Sequence, residues 1–87
     1  MTCENCKFGR RAENRDYVGC IKAIQSNFRV NHIETSQLCD FYGKDSISIG
    51  WVNLNVYPEE TTNGWGMITN FIPCFLKNDK CKYWDAR

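Results

Sequence analysis

A chain of 87 residues is long enough for one domain. Its formal net charge of +1 gives no broad positive field that would attract nucleic acid or an anionic membrane surface. Hydrophobic residues make up 43% of the chain and aromatic residues 14%, which excludes a disordered tail. Because a domain this small buries only a modest core, we expect a metal, disulfides or a partner to contribute to its stability.

The first half of the chain contains a C-x2-C-x13-C-x18-C series formed by Cys3, Cys6, Cys20 and Cys39. A Cys-x-x-Cys pair lets two thiolates reach one ion or cluster from a single tight turn, and two more distant cysteines can complete the site. The series therefore predicts a soft-metal site within residues 1–43.

A short helix is predicted after Asp16, because apolar residues from Tyr17 to Phe28 recur approximately at helical spacing. Asn14 is its expected N-cap, and the period places Cys20 on its buried face. Further along, Cys39 is expected to open a second turn that ends at Gly43.

The second half of the chain has the alternation of a β-structure. Apolar and polar residues alternate over residues 46–57, with a phase shift between Trp51 and Val52 that indicates a bulge or bend. An Asn-Gly turn at 63–64 then predicts that residues 65–72 return as the hairpin partner, and Pro73 is expected to end that strand.

These elements together predict a small α+β metal-binding domain that spans residues 1–87. Residues 1–43 would form the metal-binding cysteine segment with one short helix. Residues 44–87 would form a β-rich segment, either an antiparallel β-hairpin or a small sheet. No composition shift or linker marks a second domain.

Three explanations compete for the cysteine series. Tetrahedral zinc sites usually take their ligands as two close pairs, and only the first pair is close here. A [4Fe–4S] cluster tolerates scattered third and fourth ligands, so it is our first expectation and Zn²⁺ is the alternative. Disulfides are the third explanation, and six cysteines would permit 15 pairings in a secreted domain.

The expected compartment favours metal over disulfides. The chain shows no signal peptide at Met1 and no apolar run long enough for a membrane helix. If Met1 is the native start, the protein stays in the reducing cytoplasm, where cysteines bind metals more often than they form disulfides. A mature secreted chain would reverse this expectation.

Three short stretches of the first half carry a resemblance to known families: CENCKF at 3–8, GC at 19–20 and CDF at 39–41. Together they resemble the cluster-binding segment of high-potential iron–sulfur proteins. They also resemble the small iron–sulfur subunits of some glycyl radical enzymes, such as arylacetate decarboxylases and benzylsuccinate synthases. The resemblance covers about residues 3–43 and implies one [4Fe–4S] cluster on Cys3, Cys6, Cys20 and Cys39. The small subunits imply a structural or regulatory role on a large partner, and the high-potential proteins imply electron transfer.

Two cysteines, Cys74 and Cys81, lie outside the series. They could be a redox pair, buried free thiols, or replacements for one member of the quartet. A short motif recurs at three of the six cysteines, in which an aromatic ring follows two residues later: Phe8 after Cys6, Phe41 after Cys39 and Tyr83 after Cys81. Such rings could exclude water from a cluster, or they could simply be core residues.

Catalysis is not expected from this chain. A cysteine nucleophile would need a base, and the one histidine, His32, lies in a polar stretch without a paired ligand. The adjacent carboxylates of Glu59 and Glu60 point apart on a turn. We therefore expect a non-enzyme that binds or regulates a larger protein, with a small electron carrier as the alternative. Its expected partner contacts are three tryptophans: Trp51, Trp65 and Trp84.

Overall fold

The computed structural model describes residues 1–25, 35–60 and 70–87. A 3₁₀ turn at Cys3–Asn5 precedes strand β1 at Gly9–Ala12 and strand β2 at Tyr17–Cys20. Helix α1 at Ile21–Gln25 and helix α2 at Thr35–Tyr42 follow. Strands β3 at Ser48–Asn53 and β4 at Asn70–Leu76 complete these elements. Within the described ranges, neither helix is long and apolar enough to cross a membrane.

The four strands form a closed antiparallel barrel in the order β1–β2–β4–β3, in which β3 pairs back with β1. The prediction of an α+β domain with a separate β-hairpin is therefore wrong, because the cysteine-rich half supplies β1 and β2. These strands have only four residues each. A strand of four residues repeats its two-residue period too few times to be recognised in the sequence. The pairing of β1 with β3 and of β2 with β4 also joins distant parts of the chain, which local patterns do not reveal.

The helix predicted after Asp16 also needs correction. Tyr17 to Cys20 form β2, which pairs with both β1 and β4, and α1 begins only at Ile21. Asn14 caps no helix, because its side-chain oxygen accepts a hydrogen bond from the Asp16 backbone N–H at 3.0 Å. That bond forms the local turn between β1 and β2. The predicted helix beyond residue 25 lies outside the described residues.

Cys39 lies inside α2 rather than opening a turn. Leu38 and Tyr42 form the buried face of this helix. Gly43 follows with a φ of 67°, the left-handed conformation that commonly ends a helix and that glycine adopts without steric cost.

Strand β3 lies within the predicted strand, and it pairs with β4 over five residues from Ser48 opposite Cys74 to Val52 opposite Asn70. Pro73 does not end β4, which continues to Leu76. The pairing of β4 with β2 starts at Cys74, one residue after the proline. Strand β2 therefore needs no hydrogen bond from the nitrogen of Pro73, which has no N–H to donate. The predicted turn at 63–64 and the first part of the predicted return strand lie outside the described residues.

The C-terminal tail pairs with the N-terminal segment at two separate antiparallel bridges, Thr2 with Lys80 and Cys6 with Ala86. The backbone N–H of Cys3 donates to the carbonyl of Asp79 at 3.0 Å, and that of Lys7 donates to the carbonyl of Asp85 at 2.7 Å. The indole N–H of Trp84 adds a bond to the Thr2 carbonyl at 2.9 Å. This pairing brings the two ends of the chain together beside the barrel.

Candidate metal centre

Four cysteines from three separate segments line one apolar cavity of about 20 Å³: Cys3, Cys6, Cys20 and Cys81. We call this the cysteine cavity. Four aromatic rings, those of Phe8, Tyr42, Phe75 and Tyr83, line it as well. The structure therefore brings together three of the four predicted ligands and adds Cys81 from the tail.

Cys3 and Cys6 enter the cavity from the N-terminal turn. The Cys6 backbone N–H donates to the Cys3 carbonyl at 3.2 Å, which closes the turn and holds both side chains on one side of it. Both residues are 8% exposed. Gly9 lies directly against the turn, since a Cβ built at this position would approach the Cys3 carbonyl oxygen at 2.6 Å. A glycine is therefore required for this close backbone approach.

Cys20 lies at the junction where β2 ends and α1 begins. Burial raises the pKa of the Cys20 thiol. The backbone N–H groups of Ala23 and Lys22 and the Tyr42 hydroxyl favour the thiolate, but their effect is smaller than that of burial. The junction thus supplies a sulfur that is already surrounded by donors.

Cys81 reaches the cavity because the tail is paired with the N-terminal turn. An isolated bridge joins Thr2 to Lys80, and the Cys3 N–H bond to the Asp79 carbonyl lies beside it. The backbone N–H of Tyr83 donates to the Cys81 sulfur at 3.4 Å. Cys81 is half-buried, so the tail covers one side of the cavity.

Two of the thiols in the cysteine cavity, those of Cys3 and Cys20, have a raised pKa because they are buried. The pKa of the Cys3 thiol is raised to about 12. Burial is the largest cause, the nearby sulfurs of Cys81 and Cys20 add to it, and Lys44 opposes it. Ionising several of these groups together would bury like charges side by side. A bound cation would remove that obstacle, because thiolates are the species that ligate metals.

Cys39 and Cys74 lie outside the cysteine cavity. Cys39 is half-buried on α2 and does not line the cavity, although Tyr42 of the same helix does. Cys74 belongs to the barrel interior, where its thiol donates to the Ile72 carbonyl at 3.4 Å. Burial raises the pKa of Cys74 to about 11, as expected for a small buried thiol.

The signal in the sequence that pointed to Cys81 was the ring two residues after a cysteine. Two of the three repeats of this motif, Cys6 with Phe8 and Cys81 with Tyr83, place both members on the cavity wall. In the third, Phe41 instead stacks on Tyr83, with ring centroids 5.0 Å apart and planes 13° apart. The motif therefore includes Cys81, which the spacing of the first four cysteines misses.

The predicted partner contacts occupy different environments. Trp51 is 48% exposed on β3, and its ring lies 5.2 Å from that of Phe71 on β4. Trp84 is half-buried and its indole is engaged with Thr2, which gives it a structural contact within the protein. Trp65 and His32 lie outside the described residues.

The four sulfurs line the wall of the cavity without converging on one point. Among the described residues, no three histidine, cysteine or acidic side chains are grouped as ligands of a single metal ion. All six cysteines are free thiols in this structure. The donor set of the cavity is nonetheless entirely thiol, which is the ligand chemistry of iron–sulfur clusters and of structural zinc.

Comparison of the chain with protein-family models, with curated proteins and with solved structures finds no match. The resemblance to iron–sulfur families therefore stays a prediction, and the function has to be argued from the cavity itself.

Proposed function

We propose that this protein is a small metal-stabilised module in which Cys3, Cys6, Cys20 and Cys81 bind one metal centre. The observation that carries the proposal is that four thiols from three segments line a single apolar cavity with aromatic walls. A metal held there would cross-link the N-terminal turn, the β2–α1 junction and the C-terminal tail. Such cross-links contribute directly to folding in small metal-binding domains.

A [4Fe–4S] cluster is the first candidate for this centre. Each iron of a cluster takes its own thiolate, so ligands arranged around a cavity wall suit it. The backbone N–H of Tyr83 already donates to the Cys81 sulfur, and bonds of this kind tune clusters. When bound, a cluster would supply both the cross-link and a one-electron redox capacity.

Zn²⁺ is the second candidate, and its binding would require the four sulfurs to move toward one point. A volume of about 20 Å³ suits one water-sized occupant, since a single water needs roughly 10–15 Å³ by the same measure. A cluster would require the cysteine side chains to rotate outward. Four thiolates are a common ligand set of structural zinc.

The module's proposed role is to bind or regulate a larger protein, in the cytoplasm. Support comes from the adjacent rings of Trp51 and Phe71, which are 48% and 47% exposed on neighbouring strands. Tryptophan and other aromatic residues are enriched at protein–protein interfaces. The six free thiols suit a reducing compartment. An electron carrier is the alternative role if the centre proves to be a cluster.

The test compares three chains purified without oxygen: the wild type, Cys81→Ser and Cys39→Ser. We expect Cys81→Ser to lose the metal, because it removes a cavity ligand, and Cys39→Ser to retain it. Iron and sulfide in equal amounts with a broad visible absorption would identify a cluster, and stoichiometric zinc without colour would identify Zn²⁺.

Two results of this comparison would contradict the proposal. Metal loss in Cys39→Ser with retention in Cys81→Ser would restore the quartet expected from the sequence. A wild-type chain that takes up neither iron nor zinc, after reconstitution with each, would remove the metal centre altogether.

A further inference from the structure

A lysine lies inside the wall of the cysteine cavity. Lys22 is the one charged residue among the described residues that line it. Its ammonium nitrogen is 4.8 Å from the ring centroid of Phe8 and 5.6 Å from that of Tyr83. The side chain is therefore held between two rings of the wall, within the range of cation–π attraction.

Position along the chain couples Lys22 to the ligands. Lys22 follows Cys20 by two residues in the chain, and both residues line the cavity. Phe8 and Tyr83 each lie two residues after a cavity cysteine. The lysine thus bridges the N-terminal turn and the tail at the edge of the cavity.

Four thiolates around a doubly charged metal centre leave a net negative charge in an apolar space. A buried charge of this kind requires a nearby opposite charge, because water cannot solvate it. Lys44 also acts on the site, since it favours the Cys3 thiolate, but its ammonium lies 3.7 Å from the Asp79 carboxylate and bonds to the Lys80 carbonyl. Lys22 is the cation placed in the cavity wall itself.

We propose that Lys22 is both the counter-charge and the cap of the metal centre, clamped between Phe8 and Tyr83 over the cavity. This inference rests on the proposed function, because it assigns a role to a residue toward the metal held by the four cysteines. The positive charge offsets the thiolates, and the side chain with its two rings restricts access of water and chelators to the metal. Groups that support metal ligands in this way have large effects on metal retention.

The chain offers matched controls for this role. Lys7 lies 5.7 Å from the Phe8 centroid and Lys82 lies 5.2 Å from the Tyr83 centroid, but both are exposed and neither lines the cavity. Lys7 is also 4.0 Å from the Asp85 carboxylate. Replacing Lys7 or Lys82 removes a cation from one of the same aromatic rings and leaves every residue that lines the cavity unchanged.

The experiment measures how fast excess chelator removes metal from the loaded protein. We expect Lys22→Met to lose metal roughly 10–100-fold faster than the wild type, the range found for groups that support metal ligands. Lys22→Arg keeps the charge and should stay within about threefold, and Lys7→Met and Lys82→Met should match the wild type. If the centre is a cluster, Lys22→Met should also lower its midpoint potential, because a positive charge favours the reduced form.

A second measurement separates the charge from a structural role. Without a metal centre there is no centre for Lys22 to offset or to cap, so Lys22→Met should unfold at the same temperature as the metal-free wild type. An equal loss of stability with and without metal would show that Lys22 only packs the wall and would overturn the proposal. The proposal would also be overturned if Lys22→Arg lost metal to the chelator as fast as Lys22→Met. The same holds if Lys22→Met lost metal no faster than the Lys7→Met and Lys82→Met controls.

These results are distinct from failure of the proposed function. A wild-type chain that binds neither iron nor zinc overturns the metal centre and this inference together. A wild-type chain that binds metal, with Lys22→Met unchanged, overturns only the role of Lys22.

Discussion

The two cores of this barrel stabilise it by different chemistry. One, which we call the barrel core, consists of Ala12, Val52, Ile72 and Cys74, three aliphatic side chains and one thiol. The other surrounds the cysteine cavity, where buried thiols share the interior with aromatic rings. The first group buries one thiol among aliphatic side chains, whereas the second places four thiols around one apolar cavity, where burial raises the pKa of Cys3 and Cys20.

The backbone packs tightly beside both cores. A Cβ at Gly19 would approach the Val52 side chain at 2.4 Å, and a Cβ at Gly9 would approach the Cys3 carbonyl oxygen at 2.6 Å. The cysteine cavity retains about 20 Å³ of open volume. Protein interiors are normally close-packed, and an open volume lined by potential ligands differs from that norm. The two cores therefore differ in the thiols that surround an open volume and not in how closely the backbone packs.

The largest effect expected is from removing a ligand in the metal-loaded protein. Cys6→Ser should abolish metal retention and lower stability by about 3 kcal/mol or more, roughly 15 °C in Tm, because metal binding is coupled to folding. Cys74→Ser is the matched control in the other core. It should cost only about 1–2 kcal/mol and retain the metal, since a hydroxyl can still donate to the Ile72 carbonyl.

Metal analysis and thermal unfolding of both variants test this contrast. Equal metal content and equal melting temperatures for Cys6→Ser and the wild type would show that the cavity plays no part in stability. Metal loss in Cys74→Ser would move the site into the barrel core.

An intermediate effect is expected from overfilling the barrel core. Gly19→Ala should cost about 1–3 kcal/mol, because the added methyl group meets the branched side chain of Val52. The folded fraction should still bind metal, since the added group points at the barrel core. Combining Gly19→Ala with Val52→Ala should cost less than the sum of the two single changes, because the second change makes room for the first. Denaturant unfolding of the four proteins measures this, and strict additivity would contradict the proposed clash.

The smallest effect should come from the exposed aromatic pair on the barrel surface. Trp51 lies directly opposite Phe71 in the β3–β4 register, so Trp51→Ser should cost only about 0.5 kcal/mol and leave metal binding intact. Trp84→Phe is its control in the tail. That change removes the bond to the Thr2 carbonyl and should cost about 1 kcal/mol. A larger loss for Trp51→Ser than for Trp84→Phe, by thermal unfolding, would place Trp51 among the structural residues.

Local patterns anticipated some elements well and others poorly. The alternation over residues 46–57 predicted β3, because a six-residue strand repeats its period often enough to be seen. The apolar spacing after Asp16 was read as helix, yet Tyr17 to Cys20 pair with β1 and β4 as a strand. Short segments carry weak intrinsic preferences, and their pairing partners decide between strand and helix.

The sequence by itself determined that the chain holds a cluster of thiols with adjacent rings, since the Cys-x-x-Cys pair and the repeated ring two residues after a cysteine are local features. Only the tertiary structure decided which sulfurs meet. Cys81 joins Cys3 because the tail pairs with the N-terminal turn, whereas Cys39 stays on α2 outside the cavity. Contacts between residues nearly eighty positions apart depend on how the barrel closes and where it leaves the two chain ends. Spacing along the sequence does not encode that path.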